Sequence, residues 1–478
     1  MRLLADFRYN WNERYFIEAN GRYDGSGRYS RGKRWGFFPS VFGAWNISNE
    51  PFWNNLKNTV NYLRVKVSYG TLGNQGNSAG YLHVPTMTVG SQGGWIIDGV
   101  RPTYVNTPAI LNMERTWEKI TTLDLGVETR LLQNRLSFEL GYYKRRSWDI
   151  IGPPTPLPVV LGASAPNVNN AEFETKGIEM QVSWRDKIDR HWDYSVGFNL
   201  ADGTSEITKY NTTTKSISGW YVGKKIGEIW GYTSNRLLNA SDFDENGKLL
   251  VSQSKINANW FPGDVKYEDL DGDGIISPGS STVEDPGDRR IIGNTTPRYR
   301  FGINMAAGYE FEKAGRLDLS LFFSGVAKRD LFMSGSFFYW GTGYGSSSRA
   351  ISIYDTDEHK DFYRDANCNQ PLLDLLGENV DAYFPRPYES TEGNKNFQTS
   401  TRYLISGAYL RLKNLQLSYT LPKAWAKKAG MNSCRVYFSG ENLWVWSHLP
   451  NYIDPESVSN GRMYPQQATY SLGVNVSF

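Results

Sequence analysis

The sequence predicts an all-β fold: a transmembrane antiparallel β-barrel segment of about thirteen strands, with short periplasmic turns and long extracellular loops. Three observations predict it. The closing segment, Gln466 to Phe478, places Ala468, Tyr470, Leu472, Val474, Val476 and Phe478 on alternate positions, with Thr469, Ser471, Gly473, Asn475 and Ser477 between them. A period of two gives one apolar face and one face of small polar groups, as a strand between lipid and a wet interior requires. Aromatics make up 14% of the chain and Gly is abundant at 47, a mixture that favours strands and turns over helices. Finally, amphipathic strands recur in pairs joined by tight polar turns, and long loops separate the pairs. Soluble sandwiches and propellers also alternate, but they have no reason to keep one end tight.

Leu3 to Asn10 turns through Trp11-Asn12-Glu13-Arg14 into Tyr15 to Tyr23, and Trp35 to Asn46 connects through Ser48 to Pro51 into Tyr62 to Thr71. In that last strand Leu63, Val65, Val67 and Tyr69 alternate with Arg64, Lys66 and Ser68. Thr122 to Arg130 and Leu136 to Tyr143 follow, then Ile178 to Trp184 and Trp192 to Leu200, each apolar on every second position. Phe301 to Tyr309 precedes a turn at Glu310 to Gly315, and Leu317 to Phe323 returns. Tyr403 to Thr420, a basic link Pro422 to Gly430, Arg435 to Trp446 and the terminal strand complete the set. Leu410 and Leu412 are out of phase with Leu415, Leu417 and Tyr419, which predicts a bulge near Lys413-Asn414 or a strand rising above the lipid. The apolar faces end in Tyr, Trp and Phe, as interfacial girdles require.

Mean hydropathy is −0.51, and no apolar run approaches the ~18 residues of a membrane helix. A barrel needs only every second residue to be apolar. The net charge of +3 is too near balance to imply nucleic acid. Cys368 is expected in an outer loop and Cys434 near the periplasmic rim, roughly 25 Å apart, so two free thiols are expected. His83, His191, His359 and His448 show no metal-ligand spacing.

Short turns belong on the periplasmic side, so the first strand runs inward and the last also ends at the periplasm. An odd strand count departs from the even number of single-chain bacterial barrels, and an unclosed sheet leaves unpaired backbone groups costing several kcal/mol apiece in hydrocarbon. The start MRLLADFRYN carries no signal-peptide h-region. The expectation is that residues 1–478 form the C-terminal portion of a longer barrel and that Met1 is internal or artefactual.

Several stretches carry more than periodicity: Arg34 to Val41, Leu63 to Gln75, Gly227-Glu228-Ile229-Trp230-Gly231-Tyr232, Gly263-Asp264-Val265-Lys266-Tyr267, Asp269 to Gly274, Asp288 to Asn294, Tyr409 to Leu415 and Ser439 to Leu443. In this serial order, from Arg34 onward, the chain resembles the C-terminal half of the SusC/RagA family of TonB-linked outer-membrane transporters. The resemblance implies a barrel of about 22 strands with an N-terminal plug, driven by the TonB complex in the outer membrane of a Gram-negative bacterium. It also implies a SusD-like surface lipoprotein as a hinged lid and an oligosaccharide or peptide cargo, with Phe478 read by the barrel-assembly machinery. Signal peptide, TonB box, plug and early strands are absent from the pattern, so no residue is assigned to energy coupling.

Asp269-Leu270-Asp271-Gly272-Asp273-Gly274 puts carboxylates at positions 1, 3 and 5 and Gly at 6, the start of an EF-hand loop. Position 7 offers the Ile275 carbonyl; Ser280 stands where Glu is expected at 12, leaving Asp285 or Asp288 as a late carboxylate. Structural Ca²⁺ is the expectation, since close carboxylates repel without a cation, and an Asp/Gly turn without metal is the alternative. The aromatics Trp95, Trp220, Trp260, Phe337, Phe338, Tyr339, Trp340 and Tyr344 fall in outer loops, where they stack on sugar faces, pack the loops or meet the lid. No nucleophile elbow, carboxylate pair or phosphate loop is evident, so no enzyme is expected. The rivals are a secreted carbohydrate-binding β-protein and a remnant of a truncated gene.

Overall fold

The computed structural model describes residues 2–75, 83–91, 96–106, 108, 110–154, 158, 160, 165–332, 360–388, 391–451, 453–458, 464 and 466–478. Two compact units divide the chain: residues 1–185 with 199–213 and 220–225, and residues 186–198 with 214–219 and 226–478.

The first unit carries β1 (Arg2–Trp11), β2 (Tyr15–Gly25), β3 (Trp35–Asn46), β4 (Val60–Asn74), the short β5 (Val89–Ser91) and β6 (Thr103–Val105), β7 (Glu118–Leu131), β8 (Leu136–Gly152) and β9 (Val168–Lys187). β10 (Trp192–Lys209) contributes its second half. In the second unit follow β11 (Glu228–Tyr232), β12 (Arg236–Leu237), β13 (Val265–Lys266), β14 (Arg289–Asn294), β15 (Arg298–Phe311), β16 (Gly315–Lys328), β17 (Asp330–Phe332), β18 (Leu404–Ser406), β19 (Tyr409–Thr420), β20 (Ser433–Ser447) and β21 (Thr469–Ser477). One 13-stranded sheet runs in the order β1-β2-β3-β4-β7-β8-β9-β10-β15-β16-β19-β20-β21. The thirteen expected strands are its members.

Register explains why alternation survives across strands. Val67 of β4 lies opposite Leu125 of β7, Leu125 opposite Tyr142 of β8, and Tyr142 opposite Ile178 of β9. All four are exposed. Because a one-residue slip would move every apolar group to the other face, this row fixes the pairing wherever one face meets hydrocarbon. Stacked rings bound the band: Trp11, Tyr15 and Trp45 at the tight-turn end, and Tyr23 with Trp35 at 4.9 Å beyond it. From Tyr15 to Tyr23 is about 26 Å along the strand at ~3.3 Å per residue, or about 20 Å of height at the tilt of barrel strands, so the rings fall near the borders of the ~25 Å apolar band. Over β2 to β9 the band covers roughly 600 Å², at or above the largest apolar patch of ordinary soluble monomers.

The opposite face is ionic. Lys66 Nζ donates to Glu128 at 2.8 Å and Glu139 at 2.6 Å. In the second unit Arg316 pairs with Asp193 at 2.8 Å and Asp318 at 2.7 Å.

Phe323 pairs with Leu412 and Phe322 with Asn414, so Lys413 is skipped. That bulge restores phase. Leu410 and Leu412 join the face of Leu415, Leu417 and Tyr419, while Arg411 joins Asn414, Gln416 and Ser418. The expected strand from Tyr403 is corrected: Thr401–Tyr403 is a 3-10 turn with Tyr403 fully buried, and β18 is separated from β19 by Gly407-Ala408. The basic link folds as the short helix α2 (Lys423–Lys428); the earlier helix, α1, spans Gln370–Leu376. Cys368 precedes α1, Cys434 is the second residue of β20, and both are free thiols.

Gly315 closes the β15–β16 turn at φ +88, where a Cβ would overlap the Thr420 carbonyl oxygen. Gly315→Ala is expected to lose at least about 2 kcal/mol of stability, read as a lower denaturant midpoint of the membrane-inserted protein.

Candidate functional site

The sequence motifs that lack strand periodicity converge on one folded loop module in the second unit. β11 is the Glu228-Ile229-Trp230-Gly231-Tyr232 motif and pairs antiparallel with β14, the Arg289 to Asn294 motif. β13, from the Gly263 to Tyr267 motif, pairs with β12. Later chain completes the module: Tyr232 N–H donates to the Thr399 carbonyl, Val265 N–H to Asn396 Oδ1, and Tyr267 Oη to the Lys395 carbonyl. Between these elements lies a core of Tyr232, Leu238, Trp260, Tyr267, Phe384 and Tyr403 with its neighbours. A core of aromatics suits a small module, because each ring buries a large area with few torsions to fix.

An ion pair is sealed inside it. Lys395 Nζ lies 2.7 Å from Asp264 Oδ2, and both side chains are 0% exposed. Asp264 also accepts from the Phe261 N–H, Tyr388 Oη and Asn396 Nδ2. The ammonium donates to the Asn259 carbonyl and faces the rings of Trp260, Phe261 and Tyr388 at 4.5–5.2 Å. Such complete satisfaction is what a buried charge pair needs to persist. The pairing joins residues 131 apart in sequence and leaves no periodic signal, so sequence reading missed it.

Asp242 bridges β12 and β13 through Arg236 at 2.6 Å and Lys266 at 2.6 Å. Burial pushes its carboxyl up, but the Arg236 guanidinium, the Asn239 N–H and the Lys266 ammonium outweigh burial and hold it well below the usual carboxylate range. A cavity of about 150 Å³ lies beside it, lined by Leu238, Leu249, Gln253 and Tyr267 among others. It is too small for an oligosaccharide.

The acidic turn projects from this module. Carboxylate oxygens of Asp269, Asp271 and Asp273 lie within 4.8 Å of one another. Asp269 accepts the N–H groups of Gly272 and Gly274, and both glycines have φ +79. Asp271 is stabilised as an anion chiefly by the Asp273 N–H, but burial and repulsion from Asp273, Asp288 and Asp269 prevail and raise its carboxyl above the usual range. Ile275 follows directly, bridged to Ser252. Asp288 is fully buried and spends its two oxygens on the N–H groups of Leu270 and Ser277. It braces the base of the turn. Asp285 is engaged by Ser280.

Of the aromatics expected at cargo or lid, Trp220 is 40% exposed and lies 5.6 Å from Tyr210. Trp260 is 7% exposed, its indole N–H donating to the Asn257 carbonyl at 2.7 Å; its ring packs the module core. Trp95, Phe337, Phe338, Tyr339, Trp340 and Tyr344 lie outside the described residues. Phe478, at the end of the sheet's last strand, is exposed.

An amphipathic antiparallel sheet with an apolar band, aromatic girdles and a folded loop module defines a transmembrane β-barrel protein. The chain belongs to the TonB dependent receptor-like, beta-barrel family, whose profile it matches over residues 3–443. It is 27% identical to TonB-dependent receptor P3 of Formosa agariphila, over 98% of this chain and 44% of that protein. It is 22% identical to the TonB-dependent receptor SusC of Bacteroides thetaiotaomicron, over 98% of this chain and 43% of SusC. Among solved structures it resembles the RagAB peptide importer in its open-open state, with a TM-score of 0.73 and 21% identity, covering 100% of this chain and 46% of that one. The chain spans under half the length of these relatives.

Proposed function

We propose that this chain supplies barrel wall and outer loops to a TonB-dependent importer of oligosaccharides or peptides in a Gram-negative outer membrane. The observation that carries the reading is the row Val67, Leu125, Tyr142 and Ile178, exposed on one face while Lys66, Glu128 and Glu139 bond on the other. Apolar groups belong against acyl chains, and the ionic face lines a wet lumen. A SusD-like lipoprotein is the proposed lid over the loop module, with TonB the energy source. Exposed Trp220 beside Tyr210 suits a sugar face. Deleting the gene is expected to abolish growth on one class of oligosaccharide or peptide as sole carbon source, and in the undeleted strain the protein is expected in outer membranes, released only by detergent. Unchanged growth on all such sources, or recovery in the soluble supernatant, would overturn the reading.

We further propose that Asp269, Asp271, Asp273 and the Ile275 carbonyl take structural Ca²⁺, supported by the clustering of three carboxylates within 4.8 Å. Amide exchange at Gly272 and Gly274 of the whole protein is expected to slow at about 1 mM Ca²⁺ and to stay unchanged in Asp271→Ala. Exchange insensitive to Ca²⁺ in the native protein would dismiss the site.

A further inference from the structure

The link between β3 and β4, residues 47–59, is fastened to the apolar face of the sheet at its tight-turn end. Tyr15 and Trp45 belong to the outward apolar row, Tyr15 opposite Trp45 and Trp45 opposite Val65. Both reach Glu50 of the link: Tyr15 Oη donates to Glu50 Oε1 at 2.7 Å and the Trp45 indole N–H at 3.0 Å. Asn46 and Asn49 side chains donate to the Glu13 carbonyl at 2.8 and 2.9 Å, pinning the link to the β1–β2 turn. On the other side Leu132 N–H, in the β7–β8 turn, donates to the Thr59 carbonyl at 2.9 Å. Two 3-10 turns, Ile47–Asn49 and Pro51–Trp53, shape the segment. Held there, the link presents Phe52 at 64% and Leu56 at 49% exposure, four residues apart, with Lys57 beside them.

A soluble turn gains nothing by ordering two large apolar groups outward. At the border of an acyl layer the same arrangement is favourable, since apolar side chains enter the headgroup zone and a lysine meets phosphate. We propose that residues 47–59 form an interfacial foot on the phospholipid headgroups of the periplasmic leaflet, with Phe52 and Leu56 inserted and Lys57 on lipid phosphate. The occupant is lipid because the foot continues the apolar band through Trp45 and Tyr15. The inference rests on the membrane reading above and deepens it. It would set the depth of this part of the wall in the bilayer.

The test uses the native outer-membrane protein in phosphatidylethanolamine/phosphatidylglycerol vesicles, with Cys368→Ser and Cys434→Ser as background. Nitroxides are placed by Phe52→Cys, Leu56→Cys, Asn55→Cys and Val67→Cys, and collision with oxygen is compared with collision with an aqueous nickel chelate. The expected oxygen-to-nickel ratio is several-fold higher at 52 and 56 than at 55, and higher still at 67. A high ratio at 67 with 52 and 56 equal to 55 overturns the foot and leaves the membrane reading standing. A low ratio at 67 overturns both.

Discussion

Lys395→Met is expected to cost about 3–5 kcal/mol of local stability in the loop module, because it leaves the Asp264 carboxylate charged, buried and short of its cation. Asp264→Leu is expected to cost a similar amount by stranding the ammonium among Trp260, Phe261 and Tyr388. Hydrogen exchange at Leu238, Val265 and Tyr267 reads the change locally, since their N–H groups bond inside the module. The double variant, apolar on both sides, is expected to recover only part of the sum of the two losses, because the Phe261 N–H, Tyr388 and Asn396 donors lose their acceptor. If either single variant cost less than about 1 kcal/mol, the pair would be a passenger of the fold and not its clasp.

The second large effect concerns the sheet. Val67 lies at the midpoint of β4 on the outward face, and Val67→Arg is expected to cost about 2–4 kcal/mol in vesicles because a guanidinium there meets hydrocarbon. Ser68→Arg, one residue on, is expected to cost under about 1 kcal/mol, because Ser68 lies opposite Asp124 on the ionic face. Equal costs, measured by denaturant unfolding from the same vesicles, would contradict the two-faced wall.

Legibility in the sequence followed the range of the interaction that makes each element. Strands were readable because lipid on one side and water on the other impose a period of two on residues such as Leu63 to Tyr69. The bulge at Lys413 was readable as a phase error in that period, and the structure resolves it as one skipped residue. The strand expected from Tyr403 starts later because its ring packs on Phe397 and Tyr383 of the preceding loop, contacts that a period of two does not report. Trp260 shows the same limit. Aromatic residues look alike in sequence whether they meet cargo or fill a core, and its neighbours Tyr267 and Lys395 decide the matter. The carboxylates of the acidic turn were legible from their spacing, whereas the bracing part played by Asp288 depends on Leu270 and Ser277 arriving at its two oxygens.

Contact of alternate residues of each stave with acyl chains underlies the whole wall. It is tested most directly by illuminating the native membrane after incorporating a phospholipid with a diazirine near the acyl midpoint, then mapping carbene adducts by mass spectrometry. Adducts are expected on Val65, Val67 and Tyr69 of β4 and on Leu123, Leu125 and Val127 of β7, with Lys66, Ser68, Asp124 and Glu128 unlabelled. Adducts distributed evenly over both sets, or confined to the second, would contradict it.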